Sequence, residues 1–136
     1  MEYRYCIISI FRRKGKGKNM KINEISTVLE ATIITGEQNN DVEIFSACGA
    51  DLMSDVMAFV KDNVVLLTGL INPQVVRTAE MMDIKVIVFV RGKNPTQEII
   101  DLANEKSITI LTTKHSMFIA SGKLYEAGIT GRGGCC

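Results

Sequence analysis

The residues most able to do chemistry in this chain are one histidine, an aspartate pair and four cysteines at positions 6, 48, 135 and 136. A lone imidazole cannot build a multi-histidine metal site, so His115 reads as a capping or partly exposed residue before it reads as a catalyst. Asp51 and Asp55 stand four apart, a spacing that puts both on one helix face near its start. Such a pair could serve acid/base chemistry or a cation, but acidic residues in a first helical turn are also favoured by the helix dipole alone. Cys48, beside Gly49, could be a thiol activated at a helix N-terminus, or simply a small buried residue at a strand end. The adjacent Cys135 and Cys136 could hold a metal or form a vicinal disulfide, yet no other ligand type lies near them in the chain. Larger signatures are missing. The run Arg91-Gly92-Lys93-Asn94 lacks the spacing and the hydroxyl residue of a phosphate-binding P-loop, and neither a GxGxxG fingerprint nor a G-x-S-x-G nucleophile elbow occurs. The expectation is a protein that is not an enzyme, with no catalytic residue, no metal site and no cofactor.

Binding is the remaining kind of chemistry, and its candidates sit in loops. Cys48-Gly49-Ala50-Asp51, Thr68-Gly69-Leu70-Ile71-Asn72, Arg91-Gly92-Lys93 and Thr112-Thr113-Lys114-His115 each follow a strand-like segment. They combine small residues that let a ligand approach, hydroxyl and amide groups, and cations. That set suits an anionic small molecule such as a nucleotide. Turn and cap chemistry alone also explains each Gly and Asn taken singly.

The segments that must position these loops alternate. Asn23 is placed to cap a helix carrying Ile25, Val28 and Leu29 on one face, followed by strand candidates at Thr32–Thr35 and Val42–Ala47. Leu52–Lys61 has Met53, Val56, Met57 and Val60 at helical spacing, and Val64–Thr68 is a continuous apolar run, as in a strand buried on both faces. A helix with Val75, Val76, Ala79 and Met82 inward and Arg77, Glu80 and Asp83 outward follows, then a strand at Val86–Val90. Ile99, Ile100, Leu102 and Ala103 mark a helix, Ile108–Leu111 a strand, and Met117–Tyr125 a last helix ended by Gly128. Both prolines follow an asparagine: Asn72-Pro73 and Asn94-Pro95 read as a cap and a first helical turn, with Gln97 completing a capping box with Asn94. Alternation with short connections predicts a single compact α/β domain around a mostly parallel sheet, its ligand edge at the carboxyl ends of the strands. The methionines at 53, 57, 81, 82 and 117 fall on helix faces, where they suit core packing or a dimer seam.

Composition bounds the rest. With 136 residues, 46% hydrophobic and 23% charged, the chain has the size and make-up of one folded domain. No apolar run is long enough to cross a bilayer, and the early apolar stretch Tyr5–Phe11 is followed, not preceded, by its basic residues, unlike a secretory signal. Together with cysteines in no framework spacing, this points to a cytoplasmic protein with no membrane contact. Residues 1–19 hold six Lys/Arg against one Glu, a net of +5, and the other 117 hold ten against fourteen acids, a net of −4. Residues 1–19 therefore read as a basic extension, either upstream of a true start at Met20 or a basic arm touching membrane or nucleic acid, though charge runs are usually just solvated; residues 20–129 read as the domain, and residues 130–136 as a flexible Gly/Cys tail. A mildly acidic domain is a poor non-specific ligand for nucleic acid.

The strings CGADLMSDVMAFVKD (residues 48–62), LLTGLINPQVVRTAEMMDIKVIVFVRGKNP (66–95) and LTTKHSMFIASGKLYEAGI (111–129) resemble the DRTGG-domain family, and most of all its stand-alone clostridial-type members. The resemblance covers residues 20–129. It implies a fold similar to the amino-terminal domain of HPr kinase/phosphorylase, a regulatory or assembly role such as these domains have between CBS domains of some pyrophosphatases and in long phosphotransacetylases, and pairing as a homodimer. It carries over no catalytic residue. Asp55, Arg77, Thr68 and Gly69 match the letters of the family name, whereas Arg91-Gly92-Lys93 departs from the Thr-Gly-Gly of many relatives.

The leading expectation is thus a homodimeric regulatory or ligand-sensing module for an adenine nucleotide or another phosphorylated metabolite. Gly49, Asp51, Asp55, Thr68, Gly69, Asn72, Arg77, Arg91 and Lys93 are its candidate contacts. A scaffold subunit of a metabolic enzyme complex is the second expectation, and a transcriptional regulator binding through residues 12–18 the third.

Overall fold

Runs of β-branched and long apolar residues with no polar interruption cannot face water on either side, and this chain buries them in the middle of a sheet. A computed structural model describes residues 19–36, 39–59 and 63–129. The basic extension, apart from Asn19, and the Gly/Cys tail read from the sequence lie outside them. Strands β1 (Met20–Lys21), β2 (Thr32–Thr35), β3 (Glu43–Ile44), β4 (Ser46–Gly49), β5 (Val64–Thr68), β6 (Val86–Phe89) and β7 (Thr109–Thr112) alternate with helices α1 (Ile22–Leu29), α2 (Met53–Phe59), α3 (Pro73–Met81), α4 (Gln97–Glu105) and α5 (Met117–Ala127). The main sheet has the order β2-β7-β6-β5-β4, with β4 to β7 mutually parallel and β2 antiparallel on β7. The result is a single α/β domain with a mixed, mostly parallel sheet.

Because β4, β5, β6 and β7 lie side by side in chain order, their right-handed crossovers put α2, α3 and α4 on the same face. There Met53, Val56, Val75, Val76, Ala79, Ile99 and Ala103 close over Leu66, Ile87, Phe89 and Ile110. The other face is covered by the first and last helices: Ile22, Ile25, Leu29, Ala120 and Leu124 pack on Val65, Leu67, Val86, Val88 and Leu111. A fully buried side chain such as Ile87 contributes roughly 1.5–3 kcal/mol by its removal from water.

Several local expectations are corrected. Asn23 does not cap α1. Residues 20–21 are drawn into a two-stranded antiparallel ladder with β3, so the chain stays extended through Lys21, the N-cap, and turns helical at Ile22, with Asn23 inside the first turn. The stretch Val42–Ala47 is two strands, not one, because β3 pairs with β1 while β4 joins the main sheet beyond Phe45. The cap of α4 is Thr96, whose Oγ1 accepts from Ile99 N at 3.4 Å, so Asn94 and Pro95 precede the helix and Gln97 bonds Asp101 instead. Arg91 and Gly92 both take left-handed backbone, which lengthens the turn and delays the helix. The Asn72-Pro73 pair does start α3, Asn72 Oδ1 accepting from Gln74 N at 2.8 Å. Core packing explains Met53, Met82 and Met117, but Met57 and Met81 lie on the surface, the latter 67% exposed.

The antiparallel edge is held by a specific lock. Gly36 leaves β2 at φ +94°, and Thr109 Oγ1 donates to its carbonyl at 2.7 Å. Asn39 Nδ2 then reaches Ser107 O at 2.7 Å and Thr109 Oγ1 at 3.0 Å.

Candidate functional site

A parallel sheet delivers all its strand-to-helix loops to one edge, and here those loops bond to one another in series. Asp51, just beyond β4, accepts from Gly69 N at 2.7 Å and Thr68 Oγ1 at 3.3 Å through Oδ1, both at the end of β5. Its Oδ2 accepts from Arg91 Nη2, beyond β6, at 3.2 Å. Arg91 N in turn donates to His115 O at 2.7 Å and Gly92 N to Thr113 O at 2.9 Å, beyond β7. Thr113 Oγ1 finally donates to Leu29 O at 2.7 Å, tying the series to the C-terminal end of α1.

Electrostatics agrees with this geometry. The Gly69 N–H bond, aided by the Arg91 charge, holds the Asp51 carboxyl below its ordinary range. A Cβ on Gly69 would meet the Arg91 guanidinium, which would have to shift from its place on Asp51. Burial, and secondarily the charge of Asp55, push the Cys48 thiol up, which opposes the activated-thiol alternative.

The structure gathers only part of the candidate set. Asp51, Thr68, Gly69 and Arg91 meet in the cluster just described, and Asn72 caps the adjoining helix. Gly49 sits at the end of β4 against Met117 and Ser121 of α5. Asp55 and Arg77 are exposed on α2 and α3, and no hydrogen bond or ion pair among the described residues joins either to the cluster. The aspartate and arginine that meet Thr68 and Gly69 are therefore Asp51 and Arg91, not Asp55 and Arg77. Lys93 is exposed just past the turn.

Beside the cluster a cleft of about 580 Å³ is lined by Glu30, Thr32, Gly92, Asn94, Thr112, Thr113, Lys114 and His115. Half-buried His115 places Nε2 3.3 Å from Glu30 Oε1 across it. Glu30 and Thr32 escaped the sequence reading because they reach this edge only through the antiparallel pairing of Thr32 with Thr112. The loop Thr112–His115 was marked as part of the edge, and its strand-end position was the signal for it. Among the described residues, no group of three or more His, Cys, Asp or Glu side chains could hold a metal ion, and no helix is long and apolar enough to cross a membrane.

Comparison with known proteins adds three findings. The family model described as the DRTGG domain matches residues 24–127. A cobalt-dependent inorganic pyrophosphatase of Clostridium perfringens (strain 13 / Type A) is 42% identical over 51 residues, which are 36% of this chain and 9% of that protein. The crystal structure of the CBS and DRTGG domains of the regulatory region of the Clostridium perfringens pyrophosphatase, complexed with the activator diadenosine tetraphosphate, superposes with a TM-score of 0.64 at 21% identity. That match covers 76% of this chain and 45% of the other, and at such identity it shows a common fold.

Proposed function

The chain belongs to the DRTGG-domain family, and from that premise we propose that it is a regulatory, ligand-sensing module whose strand carboxyl-end loops read a phosphorylated metabolite, an adenine nucleotide being the leading candidate. The observation that carries the reading is the hydrogen-bonded series from Asp51 through Gly69 and Arg91 to His115, which joins four strand-end loops into one bonded unit. Similarity to the regulatory part of a pyrophosphatase bound to a dinucleotide activator supports the same reading. The site contacts would come from Gly49, Asp51, Asp55, Thr68, Gly69, Asn72, Arg77, Arg91 and Lys93, with Asp51 and Arg91 at the centre. The fold likeness to the amino-terminal domain of HPr kinase/phosphorylase is part of this proposal, supported by family membership. A thermal-shift series with nucleotides and acyl phosphates tests it: a ligand that binds the folded state raises the midpoint by mass action, and a flat response at millimolar ligand refutes it.

A second reading, pairing with a second copy or docking onto a metabolic enzyme, is favoured by the outer face of α5. Phe118, Ile119 and Tyr125 are 82%, 43% and 55% exposed there, an apolar surface that a free helix would rarely keep. Sedimentation of the wild type against Phe118→Asp decides between them: a dimer that the substitution splits supports self-pairing, and a monomer in both cases removes it.

A further inference from the structure

Adjacent parallel strands β6 and β7 send their chains to opposite faces of the sheet, β6 to α4 and β7 to α5. This is the only place among β4 to β7 where neighbouring connections diverge, and it is where open α/β sheets hold their ligands. The 580 Å³ cleft lies at this divergence, on the side closed by Thr32 of β2 and by Glu30, and its volume is in the range of small-molecule sites.

Its chemistry differs from that of the Asp51 cluster. Arg91 already has a carboxylate partner in Asp51. Lys114 lines the cleft and has no carboxylate partner among the described residues. His115 stands beside it in the lining, its Nε2 3.3 Å from Glu30 Oε1. The rest of the lining offers the Glu30 carboxylate, the Asn94 amide and the hydroxyls of Thr32 and Thr112, groups that suit hydroxyls on a ligand. No Phe, Tyr or Trp lines the cleft, so nothing there offers a face on which a nucleobase would stack.

We infer that the β6/β7 cleft binds a phosphorylated polyhydroxyl group, a sugar phosphate either free or as the sugar-phosphate part of a nucleotide, with the phosphate toward Lys114 and the hydroxyls toward the Glu30–His115 pair and Asn94. This rests on the ligand-sensing reading above, and it places the recognised group in the cleft beside the Asp51–Arg91 cluster, which is then coupled to the ligand through the Arg91–His115 and Gly92–Thr113 bonds.

Amide chemical-shift titration of the full chain with inorganic phosphate, ribose 5-phosphate and AMP tests it. Ribose 5-phosphate and AMP should both move the Gly92, Lys114 and His115 amides saturably, and inorganic phosphate should bind more weakly. Lys114→Ala should weaken ribose 5-phosphate by roughly tenfold, the scale of one charge-assisted contact, with an otherwise unchanged spectrum. Thr32→Val, which leaves every charge in place, should weaken it less. Equal affinity for inorganic phosphate overturns the hydroxyl recognition, and binding of AMP without ribose 5-phosphate overturns the sugar phosphate as the recognised group. Shifts at Asp51, Gly69 and Leu70 that leave Gly92 and Lys114 still overturn the cleft while keeping the sensor. No shift with any of the three at millimolar concentration overturns both.

Discussion

Replacing Asp51 by Ala should destabilise the domain far more than removing its charge partner Arg91. The two carboxylate oxygens accept from Gly69 N at 2.7 Å, Thr68 Oγ1 at 3.3 Å and Arg91 Nη2 at 3.2 Å. The Gly69 bond is short and charge-assisted, and its donor residue is buried, so its loss costs about 1.5–2 kcal/mol. The Arg91 pair is half exposed on both sides, which limits it to under about 1 kcal/mol. Asp51→Ala should therefore lose about 2 kcal/mol and Arg91→Ala less than half of that, as measured by urea unfolding. At about 4 °C per kcal/mol, a domain of this size would melt roughly 8 °C lower for the first and less than 4 °C lower for the second. The pH dependence has a fixed sign. Because the folded pKa of Asp51 is depressed, its contribution is complete above the ordinary carboxylate range and disappears as pH falls through the lowered value. The gap between wild type and Asp51→Ala should thus narrow on acidification. Equal losses for the two variants, or a gap that does not change with pH, would refute the assignment of Asp51 as an acceptor for the β5 loop.

Two further outcomes follow from backbone geometry. Gly36→Ala forces a side chain into the left-handed region at φ +94° and into the backbone of Thr109, so it should lose more than about 2 kcal/mol, visible as a large drop in the urea midpoint. Asn72→Ala removes the side-chain acceptor of Gln74 N at the start of α3 and should lose about 1 kcal/mol in the same assay, while Asn72→Asp should restore most of it.

How much of this was legible depends on the range of each interaction. The parallel strands announced themselves because Val64–Thr68 and Val86–Phe89 are buried on both faces and so carry no polar alternation. The cap at Asn72 was legible because its partner is two residues away. At α4 the local signal at Asn94 misled, because the left-handed pair Arg91 and Gly92, bonded to His115 and Thr113, lengthens the turn and leaves the cap to Thr96. Long-range pairings left no such trace. Asp51 finds Arg91 across 40 residues and His115 finds Glu30 across 85. Thr32–Thr35 was legible as a strand, but its antiparallel pairing with β7 and the small β1–β3 ladder are chosen by partners distant in the chain, and two-residue strands have too little pattern to declare them. The carboxyl-end loops could be named in advance as a group, but which of their residues touch could not.

The packing of α1 against α5 has a consequence for how such a unit is built into larger proteins. Met20, at the entrance to the domain, and Ile129, at its exit, are buried in the same apolar cluster on one face of the sheet. Both ends of the described domain therefore lie on one face of the sheet, opposite α2, α3 and α4. A host polypeptide could take up the whole unit within a surface loop without opening its own fold, as a cassette whose seams lie together.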